Sequence, residues 1–196
     1  MSSQANSAPG STPTRKLAVD WGVPTQFSIP MPKNEKERVT ALESYGIMDT
    51  PPEQEFDDIT QLASYICGTP IAMISLVAPN RQWFKSKVGT TLSETRRDLA
   101  FCAHAIMERD LFMVKDASKD PRFSHNPLVQ TDPNIRFYAG MPLVTREDCA
   151  LGTLCVVDHE PRELTPEQQE ALRALSRLVM AQLEYRRKLA RVASNP

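Results

Sequence analysis

Two kinds of residue in this chain could do chemistry. The first is sulfur and imidazole. Cys102 and His104 stand two positions apart, and Cys67, Cys149 and Cys155 complete the four thiols. Cysteine acts through its thiolate, and a histidine could in principle ligate a haem iron. Neither reading has company here. A lone histidine on a helix is ordinarily a packed side chain. The cysteines sit mostly in apolar stretches at no metal-ligand spacing, where a thiol is a small buried hydrophobe of a reducing compartment. No metal site is expected. The second kind is charge set into apolar surroundings. Arg136 enters an apolar strand, where it would pair with Asp116 or Asp120 or meet an anionic ligand. Asp116 and Asn126 are polar candidates of the same region, with capping and turn bonding inside a loop as the alternative.

These side chains are arranged around residues 137–158, FYAGMPLVTREDCALGTLCVVD. Phe137, Ala139, Met141 and Leu143 alternate with Tyr138, Gly140, Pro142 and Val144. Arg146, Glu147 and Asp148 supply a turn. Leu151, Thr153, Cys155 and Val157 then alternate with Gly152, Leu154, Val156 and Asp158. Two strands with a tight polar link pair antiparallel. Apolar residues on both faces put this hairpin in the middle of a sheet covered on both sides.

The rest of the chain must supply those covers. Its 196 residues suffice for one domain with a full core, and 41% hydrophobic with 24% charged residues is a globular composition. A net charge of −1 predicts no general affinity for nucleic acid or anionic membrane. No apolar run approaches the roughly 18 residues of a spanning helix. The N-terminus carries no signal pattern, so the expected address is the cytoplasm.

In order, residues 1–33 read as a flexible tail whose scattered Trp21, Phe27 and Ile29 bury too little to offset ordering. The domain spans 34–192, and 193–196 is a second tail. Asn34 with Glu37 has capping-box spacing, opening a helix that carries Val39 and Leu42 and ends near Gly46. Thr50-Pro51-Pro52-Glu53 opens a second helix, with Phe56, Ile59, Leu62, Ala63 and Ile66 on one face. Strands follow at 71–77 and 82–88, the second placing Trp83, Lys85 and Lys87 opposite Phe84, Ser86 and Val88. A helix at 99–107 led by Asp98, a short strand at 111–114 and a long irregular segment at 115–136 come next. After the central hairpin, Thr165-Pro166-Glu167-Gln168 caps a last helix running to about Val192. Leu172, Leu175, Val179 and Leu183 form a near-heptad stripe on it, with Leu178 beside, and are the candidate dimer interface. Its basic end (Arg186, Arg187, Lys188, Arg191) suits the helix dipole. Hairpin-linked strands with helices at both ends argue for an α+β domain on one antiparallel sheet.

With its local phrases, this arrangement resembles the GAF domain family over about residues 35–187. The phrases are Arg81-Gln82-Trp83-Phe84-Lys85-Ser86, Phe101-Cys102-Ala103-His104-Ala105-Ile106, Val114-Lys115-Asp116-Ala117 and Asp120-Pro121-Arg122-Phe123. Asn126-Pro127-Leu128-Val129, Ile135-Arg136-Phe137-Tyr138-Ala139-Gly140-Met141-Pro142-Leu143, Leu151-Gly152-Thr153-Leu154-Cys155-Val156-Val157-Asp158 and Pro161-Arg162-Glu163-Leu164-Thr165 complete them. The nearest likeness is to GAF domains of bacterial sensor kinases and diguanylate cyclases. One departure is Asp148-Cys149, where such domains have Asp-Gly. Cysteine tolerates positive φ poorly, so another turn type is expected.

The resemblance implies a sheet of five or six strands. Terminal helices lie on one face, and a helix plus the long loop close a pocket on the other. It also implies a homodimer through the terminal helices. Phe84, Phe101, Cys102, Phe123, Phe137, Tyr138 and Met141 are then candidates for the pocket wall, with Asp116, Asn126 and Arg136 as its polar groups. Core packing is the alternative for each aromatic. The implied function is a stand-alone sensory or regulatory module that binds a small ligand or a signalling protein and acts through a dimer. Any output domain is expected to be absent or supplied by a partner. The Asn-Lys, Phe, Asp-Glu signature of cyclic-nucleotide binders and the Asp-Ile-Pro stretch of bilin binders are not found, so no cofactor is specified. One alternative is a ligand-free scaffold whose pocket is filled by its own aromatics. Another is a thiol enzyme like the free methionine-(R)-sulfoxide reductases, which resemble this chain at Cys102. Their nucleophile precedes the strand at 137–144, where this chain has Asn134-Ile135-Arg136 and no cysteine.

Overall fold

The computed structural model describes residues 28–193. The tail expected over 1–33 therefore lies outside the described residues up to position 27, with Trp21 and Phe27, as do residues 194–196.

Two helices, α1 (Glu35–Ser44) and α2 (Gln54–Cys67), lead into strands β1 (Ile71–Val77), β2 (Arg81–Val88) and β3 (Glu94–Arg96). A 3-10 turn (Arg97–Leu99), the five-residue helix α3 (Phe101–Ala105) and β4 (Phe112–Val114) follow. The irregular segment holds one short helix, α4 (Pro127–Gln130). The central hairpin is β5 (Phe137–Val144) and β6 (Ala150–Asp158), and α5 (Pro166–Ala193) closes the described chain. The six strands form one sheet in the order β3-β2-β1-β6-β5-β4, every adjacent pair antiparallel. The expected hairpin indeed lies inside the sheet, and β1 and β6 are buried along their full length.

One face packs against α1, α2 and α5. Ala72, Ile74, Leu76, Phe137, Leu154 and Val156 meet Leu42, Phe56, Leu172, Val179 and Leu183 there. The other face carries Ile71, Met73, Phe84, Tyr138, Cys155 and Val157, covered by α3, α4 and the long loop. At Gly152 a side chain would meet the Ser75 carbonyl oxygen at 1.9 Å, so only glycine lets β1 and β6 close up there.

Two bulges break the simple alternation of the sequence. Ile74 pairs with Ser86 and Ser75 with Phe84, leaving Lys85 as the extra residue of β2. Lys85 and Ser86 consequently both turn toward the helices, Lys85 to Glu53 and Ser86 to Asp57 at 2.6 Å. Leu143 pairs with Gly152 and Val144 with Ala150, leaving Leu151 as the extra residue of β6. Leu151 packs on the helix side, while Thr153, Cys155 and Val157 face the other way.

Charge clamps lock the helices to this sheet. Glu35 of α1 bonds Arg38 at 2.8 Å and Arg97 at 2.5 Å, and both arginines are buried. Arg38 also donates to the carbonyls of Val77 and Ala150. Glu53 bonds Lys85 of β2 at 2.6 Å and Arg186 of α5 at 3.0 Å. A carboxylate shared by two cations is well compensated in a half-buried setting, whereas an unshared one would be costly.

Several caps differ from expectation. Asn34 does not cap α1 through its side chain; its amide donates to the Asp148 carbonyl and ties the helix start to the β5–β6 turn. α2 begins at Gln54 rather than at Thr50, because Glu53 and Thr50 are both engaged by Lys85. Asp98 bonds Arg96 instead of capping α3, which is shorter than the expected 99–107 helix. The box at α5 forms: Gln168 N–H donates to Thr165 Oγ1 at 3.3 Å, and Thr165 N–H donates to Gln168 Oε1 at 3.0 Å. In the hairpin turn the left-handed residue is Asp148, with φ 63°, so Cys149 never has to adopt positive φ.

Candidate functional site: the sheet face beneath α3

Tyr138 stands on β5 beside Gly140, where a Cβ would meet its hydroxyl at 2.2 Å. The missing side chain lets the phenol lie along the strand and reach inward. Its Oη donates to Cys102 Sγ at 3.2 Å, and Thr153 Oγ1 donates to the same sulfur at 3.1 Å. Cys155 Sγ is 4.0 Å from Cys102 Sγ. Ser75 neighbours Thr153 across the β1–β6 pair; its hydroxyl is buried and has no hydrogen-bond partner of ordinary geometry among the described residues. α3 lowers Cys102 onto this group, and Asn126 holds the approach to α3 by donating to the Leu99 carbonyl at 2.9 Å.

The electrostatics divide the two thiols. Burial pushes the Cys102 thiol up, but the hydrogen-bonding groups around it, Cys155, Ser75, Thr153 and Tyr138, outweigh this and leave it below the ordinary thiol range. Cys155 is pushed well up by its bond to Cys102 and by burial. Burial and the neighbouring sulfur charge likewise raise Tyr138, which keeps its proton for donation.

Aromatic rings seal the group. Phe101 stacks on Phe123 at 4.0 Å between centroids and on Tyr138 at 5.2 Å, and Phe112 closes edge-on to Phe123 and tilted to Tyr138. Arg122, held by Asp120, covers Phe112 and Phe123. His104 meets Phe123 edge-on at 4.8 Å, and burial followed by the nearby Arg122 charge pushes its pKa down. It is a neutral packing group.

Toward the β3 edge the same face leaves a narrow gap of about 40 Å³, lined by Met73, Phe84, Leu92, Leu128, Ile135 and Val157. Gln82 Oε1 and Thr95 Oγ1 border it, both buried and without a hydrogen-bond partner among the described residues.

Of the ten sequence candidates, the structure brings Phe101, Cys102, Phe123 and Tyr138 together. Phe84 lies on the same face but lines the gap. Asn126 caps α4, accepting from Leu128 N–H, and braces α3. Asp116 organises its own turn through Ser118 and pairs with Lys119. Arg136 does not pair with Asp116 or Asp120; it donates to the carbonyls of Val129 and Ile135, and those acids are taken by Lys119 and Arg122. Phe137 belongs to the helix-side core, and alternation puts Met141 on that side too, so neither walls this site. Ser75, Phe112, Thr153 and Cys155 are site residues that sequence reasoning passed over. Gly140 was the available signal, since a glycine inside a strand marks a close approach.

A six-stranded antiparallel sheet between a terminal-helix layer and a helix-and-loop layer defines the class of protein. The model of the GAF domain family matches residues 51–183, and the chain belongs to that family. It is 43% identical over 155 residues to a cyclic di-GMP phosphodiesterase of Pseudomonas aeruginosa, covering 79% of this chain and 26% of that protein. The chain thus spans about a quarter of that relative's length. Among solved structures it is similar to the GAF domain of a phosphoenolpyruvate-protein phosphotransferase from Coxiella burnetii, with a TM-score of 0.59, 13% identity, and coverage of 80% of this chain and 96% of that one. A type II free methionine-R-sulfoxide reductase from Thermoplasma acidophilum shares the fold at a TM-score of 0.53 and 12% identity, over 67% of this chain and 94% of that one. Among the described residues no helix is long and apolar enough to cross a membrane, and no group of three metal-ligating side chains occurs.

Proposed function

We propose that this GAF domain is a regulatory module that takes a small ligand or a partner protein as its input and governs cyclic di-GMP turnover through a dimer of its last helix. The observation that carries this reading is the second face of α5. Leu172, Leu175, Val179 and Leu183 are buried in the domain's own core, so the stripe first expected at a dimer interface is already occupied. Leu178, Tyr185, Leu189 and Val192 are instead 51–74% exposed, at successive spacings of seven, four and three. That is a coiled-coil seam, and a second copy of the same helix fits it. The 43% relationship to a cyclic di-GMP phosphodiesterase supports the choice of output.

The test is a chimera. Residues 34–193, which hold the whole of α5, replace the matching segment of the Pseudomonas phosphodiesterase. Hydrolysis of cyclic di-GMP is then measured with the intact seam and with Leu178→Asp/Tyr185→Asp. A change of several-fold between the two supports the reading. Equal rates at equal folded fraction count against it.

The aromatic packing favours a second reading, a scaffold that takes no ligand beneath α3. Here the narrow gap beside the unpartnered Gln82 and Thr95 oxygens is where binding of a small molecule would be sought. A ligand bound only by the folded state raises Tm, so such a rise would argue against the scaffold. The sulfoxide-reductase reading finds no support: residues 134–136 offer no nucleophile.

A further inference from the structure

We propose that Cys102 and Cys155 are an oxidation-responsive pair that closes to a disulfide on reaction with a small hydroperoxide. Their sulfurs lie 4.0 Å apart, so bonding requires an approach of about 2 Å. The half that must move is small, since Cys102 rides on a helix of five residues. The other half is fixed, because Cys155 lies on the fully buried strand β6. This inference is independent of the dimer reading, and its test is read on the thiols alone.

The surroundings are built for a thiolate. Two hydroxyls, Tyr138 and Thr153, donate to the Cys102 sulfur. An apolar site would have placed no donors there, and donors stabilise the charged form. The fully buried Ser75 hydroxyl is a further neighbour of the same sulfur and helps to lower its pKa. The two remaining thiols lack this setting. Cys67 is pushed up to about 11, chiefly by burial, and Cys149 bonds the Glu147 carbonyl and Asn34.

The chemistry balances. The Cys102 thiolate attacks one oxygen of the peroxide, the O–O bond breaks, and the leaving hydroxide takes up a proton as water. The sulfur is left as a sulfenic acid. Cys155 then attacks that sulfur, the S–S bond forms, the S–O bond breaks, and the hydroxyl departs with the Cys155 proton as a second water. Two thiols lose two electrons and one peroxide gains them. An external dithiol reverses the change. The product ties α3 to the middle of the sheet across a separation of 53 residues, which would hold the face shut.

Hydrogen peroxide is the probe. The full chain is oxidised while its folded circular dichroism is monitored, then unfolded, alkylated and mapped without reduction. The expected result is one linked peptide joining Cys102 to Cys155, lost on treatment with dithiothreitol, with Cys67 and Cys149 still alkylated. Cys155→Ser should stop at a dimedone-trappable sulfenic acid on Cys102. Thr153→Val keeps both sulfurs and removes one donor; it should slow oxidation roughly tenfold. A linkage between any other pair, four free thiols after oxidation of the folded chain, or an unchanged rate in Thr153→Val would overturn the proposal. If Cys155→Ser fails to fold, the linked peptide and the Thr153→Val rate still decide.

Discussion

The two faces of the sheet are made of different material. The helix side is a continuous apolar core pinned at its edges by Glu35 and Glu53, each shared between two cations. The α3 side is also largely apolar, but its centre holds thiols and hydroxyls under a stack of aromatic rings. One face is thus built to stay fixed. The other carries groups whose bonding can change without dismantling the sheet. The thiol cluster and the helix-side core are separated by a single layer of β1 and β6.

The sharpest way to break this comparison uses one residue from each face. Val179→Asp buries a carboxylate in the helix-side core and should cost at least about 4 kcal/mol, read as loss of folded protein in urea titration. Phe123→Ala removes the ring at the heart of the aromatic seal and should cost about 3–5 kcal/mol, while opening Cys102 to alkylation in the folded state. If Cys102 stayed unreactive in that variant, the rings would not be its barrier.

The clamps predict a pH dependence. Burial pushes the Glu35 carboxyl up, but the hydrogen bonds from Arg38 and Arg97 outweigh it and bring the pKa from 4.5 down to about 2. Its folded value lies below its unfolded one. The stabilisation is therefore fully present above pH 4.5 and is lost as pH falls toward 2. Glu35→Gln should cost roughly 3 kcal/mol at neutral pH by leaving two buried guanidinium groups uncompensated, and should flatten the acid limb of stability against pH. A wild-type acid limb left in the variant would move that titration elsewhere. Gly140→Ala sharpens the other side of the comparison. Its Cβ must displace the Tyr138 hydroxyl, at about 2 kcal/mol, and should slow oxidation of Cys102 by peroxide.

Much of this architecture was legible in the sequence. The Thr165–Gln168 box and the β5–β6 hairpin follow from local chemistry and period, whereas the α5 stripe was legible as apolar but, expected at a dimer interface, lies in the domain's own core. Side-chain direction was less legible. Bulges at Lys85 and Leu151 turn residues to the face opposite the one simple alternation assigns, and a bulge depends on pairing between strands that no single strand encodes. Strand β3, Glu94-Thr95-Arg96, has no apolar period; it forms because β2 offers an edge. Phe137 and Tyr138 were both natural candidates by composition, yet neighbouring strand residues must face opposite ways, and only the hydroxyl side reaches Cys102. Asn34 and Glu53 stand at the starts of α1 and α2, but longer-range partners claim their side chains.

The smallest effect on stability carries the central claim. Leu178 is 55% exposed and Tyr185 is 58% exposed, so Leu178→Asp/Tyr185→Asp should change unfolding free energy by less than about 1 kcal/mol. Sedimentation velocity of the wild-type chain and this variant is the direct test. The account predicts a dimer for the wild type and a folded monomer for the variant. A dimer of unchanged mass in the variant, or a wild type that sediments as a monomer at high concentration, would contradict signalling through the outer seam of α5.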